Sequence, residues 1–317
     1  MQTSPARART GSRTFDWRQY VVYIGFVLIF AVFAVMLSDS GFLTTNNLLN
    51  IVRQTATISV MAVAVTFVIA CAEIDLSVGA VAGLASVTTA MGVSRFGLIP
   101  GVAIGLLTGL VVGLINGTLV TRVGIPSFLV TLGMLGIATG TAMWITDTAP
   151  IPILNSTFNS FFGSGQIGPV PTLALWTLVA FLVGHVVLTR TTYGRKVLAT
   201  GGNEMAARFS GVDTARIKLI ALTTSSVVAA IAGMLYAGRL QSGRFQWGQG
   251  DELSVIAAVI LGGTSLFGGM GTVVGTIVGS LMIGLINNGL ILLGLEYSQQ
   301  LIVRGAIIIL AVALGRR

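Results

Sequence analysis

Long apolar tracts recur along this chain, separated by more polar joints. The tract at 51–71 reads IVRQTATISVMAVAVTFVIAC, and the one at 171–189 reads PTLALWTLVAFLVGHVVLT. A helix of about 20 such residues crosses roughly 30 Å of hydrocarbon. A water-soluble fold could not bury them all. The chain is 54% hydrophobic and 9% charged, against about 25% charged in ordinary domains. Barrel strands would alternate polar and apolar over about 10 residues, and no such alternation occurs. The fold class is therefore all-α, a polytopic membrane protein.

The pattern predicts about ten transmembrane helices, at 21–37, 51–71, 76–91, 98–120, 125–145, 171–189, 217–237, 253–267, 272–293 and 301–314. Residues 1–20 are basic and polar. The first apolar run ends without a small-residue cleavage site, so it reads as a retained helix rather than a signal peptide. The domain reading is a basic tail at 1–20 and a single transmembrane unit at 21–317.

Lys and Arg set the orientation. With both termini cytoplasmic, the inner segments collect Arg7, Arg9, Arg13, Arg18, Arg122, Arg190, Arg195, Lys196, Arg208, Arg216, Lys218, Arg316 and Arg317. The outer segments keep Arg53, Arg95, Arg239 and Arg244, and Arg304 falls in the last span. Topology thus accounts for the net charge of +8, and no basic soluble domain offers nucleic acid a surface. Two loops are long, an outer one at 146–170 and an inner one at 190–216.

Only 10 residues are acidic, yet AEIDLSVGAV at 72–81 places Glu73 and Asp75 between two apolar tracts. The DLSV at 75–78 returns as ELSV at 252–255, and GLINGTL at 113–119 returns as GLINNGL at 284–290. By the span count the first copy opens its helix at the inner face and the second at the outer face. That is the signature of an inverted repeat, here of helices 2–5 and 7–10. An acid followed by Ser77 or Ser254 at a helix mouth reads as an N-terminal cap; the alternative is a contact in a translocation path. Glu73 fits no cap pattern.

Gly101, Gly105, Gly109, Gly113 and Gly117 line one helix face, and Gly271, Gly275 and Gly279 repeat the device in the matching span. Such stripes let backbones approach closely, for tight packing or for sliding during transport. Asn116, Asn287 and Asn288 sit beside them, as staples between helices or as the lining of a polar path.

Enzyme chemistry finds no support. No G-x-x-x-x-G-K-[ST] loop occurs. No G-x-S-x-G occurs either, and the single Cys71 and single His185 make neither a disulfide nor a Cys/His zinc site. No metal site is expected.

The inner loop contains YGRKVLATGGNEMAARFSGVDTARI at 193–217. Asn203 is an expected N-cap, Glu204 suits the first turn, and 205–209 would form a short helix ended by Ser210 and Gly211. Such a helix suits docking into a groove on another protein, or lying at the lipid interface with Phe209 down.

At this point the chain resembles a family. IDLSVGAVAGL at 74–84, GLINGTLV at 113–120, IPSFLVTLGML at 125–135 and YGRKVLATGGNEMAARFSGV at 193–212 carry the likeness. AIAGMLYAGRL at 230–240, ELSVIAAVILGGTSLFGGMGTVVGT at 252–276 and GLINNGLILLG at 284–294 complete it. The chain is similar to permease subunits of bacterial ATP-binding-cassette importers of the ribose/xylose/arabinose type, from about residue 48 to the end. Many relatives carry Gly-Gly or a similar small pair where this chain has Ala72-Glu73.

The resemblance implies a ten-span architecture like that of the larger, vitamin B12-type importer permeases, in the bacterial inner membrane. It implies a second permease subunit, a periplasmic sugar-binding protein and a cytoplasmic ATPase that holds ATP and Mg; this chain would bind no cofactor. The ATPase would grip 202–211, through Gly202, Asn203, Glu204, Ala206, Ala207, Arg208, Ser210 and Gly211. Path candidates are Glu73, Asp75, Ser77, Asn116, Asn287 and Asn288. Arg53, Arg95, Arg239 and Arg244 would meet acidic patches on the binding protein or anchor lipid phosphates. The implied function is import of a monosaccharide, polyol or furanoside by alternating access. Import of branched-chain amino acids or nucleosides, or ATP-independent secondary transport, are the alternatives.

Overall fold

The computed structural model describes residues 21–315. The basic tail at 1–20 and Arg316 and Arg317 lie outside the described residues. The chain is mostly helical. The longer helices are α1 (Val21–Met36), α2 (Thr45–Ala70), α3 (Val78–Phe96), α4 (Leu98–Thr118) and α5 (Ser127–Thr146). A short α6 (Ser156–Asn159) follows, then α7 (Thr172–Arg190), α8 (Thr192–Gly202) and α9 (Glu204–Phe209). The chain closes with α10 (Thr214–Leu240), α11 (Asp251–Leu261), α12 (Val273–Leu292) and α13 (Tyr297–Gly315).

Among the described residues six helices are long and apolar enough to cross a membrane. They are α2, α4 with the π turn that extends it to Val123, α5, α7, α10 and α12. The expected spans at 21–37, 76–91, 253–267 and 301–314 are not among these six, and the tract at 253–267 and the inner loop depart further from expectation. The tract at 253–267 is not one crossing helix: α11 has 11 residues, about 16 Å at 1.5 Å each, half the hydrocarbon thickness. Gly262 and Gly263 stop it, with Gly263 at φ +89° and Thr264 N–H donating back to the Val259 carbonyl at 3.2 Å. The inner loop holds two helices rather than one, because Thr191 caps α8 by accepting from Gly194 N–H at 3.2 Å.

The packing is reciprocal. α4 lies on α3 and α10, and α12 lies on α11 and α2. α5 packs on α3, as α13 packs on α11. The glycines do this work. A Cβ on Gly109 would sit 2.6 Å from the Ser226 carbonyl oxygen of α10, and one on Gly105 1.9 Å from Thr89 Oγ1 of α3. A Cβ on Gly279 would meet the Ala258 carbonyl oxygen of α11 at 2.2 Å, and one on Gly284 would meet Thr55 Oγ1 of α2 at 1.8 Å. Helices this close gain dispersion contact that Leu-faced helices in lipid cannot.

Hydroxyl and amide pairs fasten the same seams. Ser59 meets Ser280 at 2.8 Å, Thr66 meets Thr276 at 2.8 Å, and Thr88 meets Thr108 at 3.0 Å. Asn47 and Asn288 exchange two amide bonds at 3.0 and 2.9 Å. Each such pair is worth about 0.6 kcal/mol between membrane helices.

The loop at 146–170 is folded, not loose. Its Ile151–Pro152 strand pairs antiparallel with Ser242–Gly243, and Gln166–Ile167 pairs with Val170–Pro171. Gly163 is pressed onto the backbone at Gly238 and Arg239, so the loop caps the end of α10. The helices α8 and α9 sit at the opposite end of α10, where Thr214 begins it.

Candidate functional site

The site is built where α2 ends, α3 and α10 begin, and α9 crosses beneath them. α2 stops at Ala70, and Ala72 takes a left-handed φ of +64°. Glycine adopts that conformation without strain. The chain then runs without helix to Ser77.

Asp75 in this segment is fully buried. Its Oδ1 accepts from the Ser77 N–H at 2.9 Å and the Ser77 hydroxyl at 2.6 Å. Its Oδ2 accepts from the Ser225 hydroxyl of α10 at 2.8 Å. Asn116 of α4, also fully buried, donates to Ser77 Oγ at 3.1 Å. Asp75 therefore ties the segment before the helix rather than capping α3 itself, since Ser77 precedes Val78 and makes no side-chain cap bond. Burial pushes the Asp75 carboxyl above its ordinary value, against the Ser77 and Ser225 bonds that favour its charged form.

Glu73 is not a stray charge. Lys218 Nζ lies 2.7 Å from Glu73 Oε1 and 2.8 Å from Glu204 Oε2. Glu204 also accepts from Arg208 at 2.7 Å and from the Thr214 hydroxyl at 3.1 Å. Burial alone would raise the Glu204 carboxyl, but the Lys218 hydrogen bond and charge, then Thr214 and Arg208, outweigh it and hold it below its ordinary value. Beside this network opens a cavity of about 280 Å³ lined by Glu73, Pro126, Ser127, Glu204, Arg208 and Lys218 among others.

The rest of α9 follows expectation closely. Asn203 Oδ1 accepts from Ala206 N–H at 3.0 Å, Ser210 Oγ donates to the Ala206 carbonyl at 2.9 Å, and Gly211 ends the turn at φ +82°. Ala207 is buried, whereas Met205 is 69% and Phe209 87% exposed. Gly202 and its neighbour Gly201 rest on Gly269 and the end of α2.

The structure thus joins Glu73 to Glu204 of 202–211 through Lys218, and joins Asp75, Ser77 and Asn116 to one another and to Ser225 farther along α10. It does not bring Asn288 to either group: the Asn47 pair holds it near the start of α2, and Asn287 is half-buried beside it. Arg53, Arg239 and Arg244 are half-buried near the opposite face, and only Arg95 of these four is openly exposed. Arg239 donates to the Arg53 carbonyl at 3.4 Å, and Arg244 lies over Trp247 at 5.5 Å. Lys218, Ser225 and Thr214 belong to the site and were not singled out by sequence. The available signal was that a carboxylate next to an apolar tract needs a cation, and the chain has two lysines, Lys196 and Lys218.

No group of three or more His, Cys, Asp or Glu among the described residues could hold a metal. The site pairs its charges internally and offers hydroxyls and amides, which suits a moving joint better than bond-making chemistry.

Residues 47–312 match the family described as "Branched-chain amino acid transport system / permease component". The chain belongs to this permease family. The permease is 40% identical over 292 residues to the ribose import permease protein of Bacillus subtilis (strain 168), covering 92% of this chain and 91% of that one. It is 37% identical over 306 residues to the D-allose transport system permease protein of Escherichia coli (strain K12), covering 95% and 92%. It is 36% identical over 321 residues to the L-arabinose transport system permease protein of the same organism, covering 100% and 96%. These relatives bear out the resemblance carried by the motifs. No solved structure matches the permease.

Proposed function

We propose that the permease moves a monosaccharide, or a related polyol or furanoside, from periplasm to cytoplasm by alternating access, driven by a separate ATPase chain. The observation that carries this is α9: a capped helix presenting Met205 and Phe209 outward while its Glu204 is anchored by Lys218 to the membrane helices. An exposed apolar pair on a rigid mount suits a partner's groove. The three named relatives support the sugar class. The family's own description favours a second reading, import of a branched-chain amino acid.

In this reading the helices make about ten spans with an inverted repeat of 2–5 and 7–10, like the vitamin B12-type importers. The reciprocal packing of α4 and α12 supports it. So do the starts of the repeats: the segment leading into α3 runs from Lys218 near the start of α10 to Ser225 near its middle, through Glu73 and Asp75, and α11 begins near the other end of α10, with Asp251 accepting from Tyr236. Both termini lie in the cytoplasm, and a second permease subunit completes the pathway. The binding protein docks over the 146–170 face, where Arg95 is the best placed of the four arginines to meet it. ATP and Mg bind the ATPase alone.

Two measurements test this. Phe209→Glu should cut co-purification of the ATPase at least about tenfold, the size of an interface hot spot, with the permease's own thermal midpoint unchanged because that side chain packs on nothing. Retained capture would rule out α9 as the grip. Uptake of labelled ribose, allose, arabinose, a polyol, leucine and a nucleoside by the assembled transporter should show saturable import of a sugar-class solute. Import of leucine alone would establish the second reading.

A further inference from the structure

Resting on the ATP-driven reading above, we propose that Lys218 is a clasp, a positioning residue that passes the movement of α9 to the 71–77 segment through Glu73. Its ammonium bonds one carboxylate on each side, Glu204 at 2.8 Å and Glu73 at 2.7 Å. Surface ion pairs are normally solvated and weak, but here the Lys218 and Glu73 side chains are only 16% and 13% exposed. Without the lysine, two carboxylates held within hydrogen-bond reach of one ammonium would face each other and drive α9 away.

What lies beyond Glu73 makes the clasp consequential. The 71–77 segment is not helical; backbone bonds fix its start to the end of α2, with Glu73 N–H donating to the Val68 carbonyl at 3.1 Å, and beyond Glu73 its neighbours hold it by side chains. Ile74 N–H donates to Ser127 Oγ and Leu76 N–H to Thr131 Oγ1, both on α5 and both at 3.0 Å. Asp75 reaches α10, and Ser77 reaches α4 through Asn116. A pull on Glu73 is therefore delivered to α3, α4, α5 and α10 together. The adjoining cavity, lined by Glu73, Lys218 and the start of α5, leaves room for that displacement.

The test uses the full transporter, permease with ATPase and binding protein, in proteoliposomes. ATP hydrolysis and solute uptake are measured on the same samples. In Lys218→Met uptake per ATP, read on the captured ATPase, should fall at least about fivefold, the lower end of coupling between sites. Lys218→Arg, which keeps a forked cation, should retain at least about half the coupling. Glu73→Ala leaves Lys218 paired with Glu204, so it guards against a folding defect, and it should lower uptake per ATP in the same way. Unchanged uptake per ATP in Glu73→Ala and Lys218→Met overturns the clasp. A Lys218→Arg variant as poor as Lys218→Met also overturns it, in favour of plain steric packing. A wild-type permease that captures no ATPase would instead overturn the function reading.

Discussion

Asp75→Ala is expected to leave little folded permease in the membrane, whereas Asp75→Asn should keep most of it. The carboxylate satisfies three donors at once, the Ser77 N–H, the Ser77 hydroxyl and the Ser225 hydroxyl. A buried donor left without a partner costs about 1–3 kcal/mol. The hydroxyls can turn to other acceptors, but the backbone N–H cannot. Alanine should therefore cost about 1–3 kcal/mol through that N–H alone, a large share of a total stability of about 5–15 kcal/mol. Asparagine keeps an acceptor oxygen for Ser77 and turns its amide to Ser225, whose hydroxyl can accept. With its donors kept paired, the amide should cost about 1 kcal/mol, the worth of a typical hydrogen bond. Thermal midpoints in detergent and uptake in vesicles check both. Asparagine as damaging as alanine, with the fold intact, would mean that the charge itself takes part in transport, and would favour ion coupling.

That contrast marks what the sequence could and could not convey. Helix existence was legible because apolar tracts and glycine stripes are local signals, and α9 was legible almost to the residue because Asn203 and Gly211 are local caps. The halved α11 was legible only in part: the tract at 253–267 is short and its Gly262-Gly263-Thr264-Ser265 is a turn signal, but Leu266 and Phe267 beyond it carry the apolar reading on. The site was half legible. Glu73 and Asp75 stood out by composition, yet their partners Lys218 and Ser225 lie about 145–150 residues away along the chain. A hydroxyl inside an apolar helix carries no label that says which acid it will meet. The outer arginines mark another limit of sequence. Sign and topology made Arg239 and Arg244 look available, and their half-burial against Arg53 and Trp247 is visible only in three dimensions.

The second large effect is expected at a residue with no side chain. Gly201→Ala should destabilise the permease by about 3 kcal/mol or more, while Gly202→Ala should be neutral or slightly stabilising. A Cβ on Gly201 would stand 1.9 Å from the Ala70 carbonyl oxygen and 2.7 Å from the Gly269 nitrogen. Those two atoms are themselves hydrogen-bonded, at 3.0 Å. The methyl group would have to part the end of α2 from the 262–272 segment, adding a lost bond of about 1 kcal/mol to an overpacking cost of about 1–3 kcal/mol. On Gly202 the nearest atom would be Gly269 Cα at 3.6 Å, ordinary contact, and replacing glycine near a helix end trims unfolded-state entropy by about 0.4–1 kcal/mol. Thermal unfolding of the pair in one detergent decides the matter, and equal midpoints would show that this backbone contact does not hold the inner loop in place. The contact also separates two routes out of α9. The Gly201 seam is backbone on backbone and cannot stretch, so its failure should lower stability and uptake together. The Lys218 bridge is side chain on side chain beside a cavity, so releasing its Glu73 arm by Glu73→Ala, with Lys218 still paired to Glu204, should lower uptake per ATP more than it lowers the midpoint. A rigid seam next to an extensible one is what a lever requires, and the two variants measured side by side would distinguish the pivot from the arm.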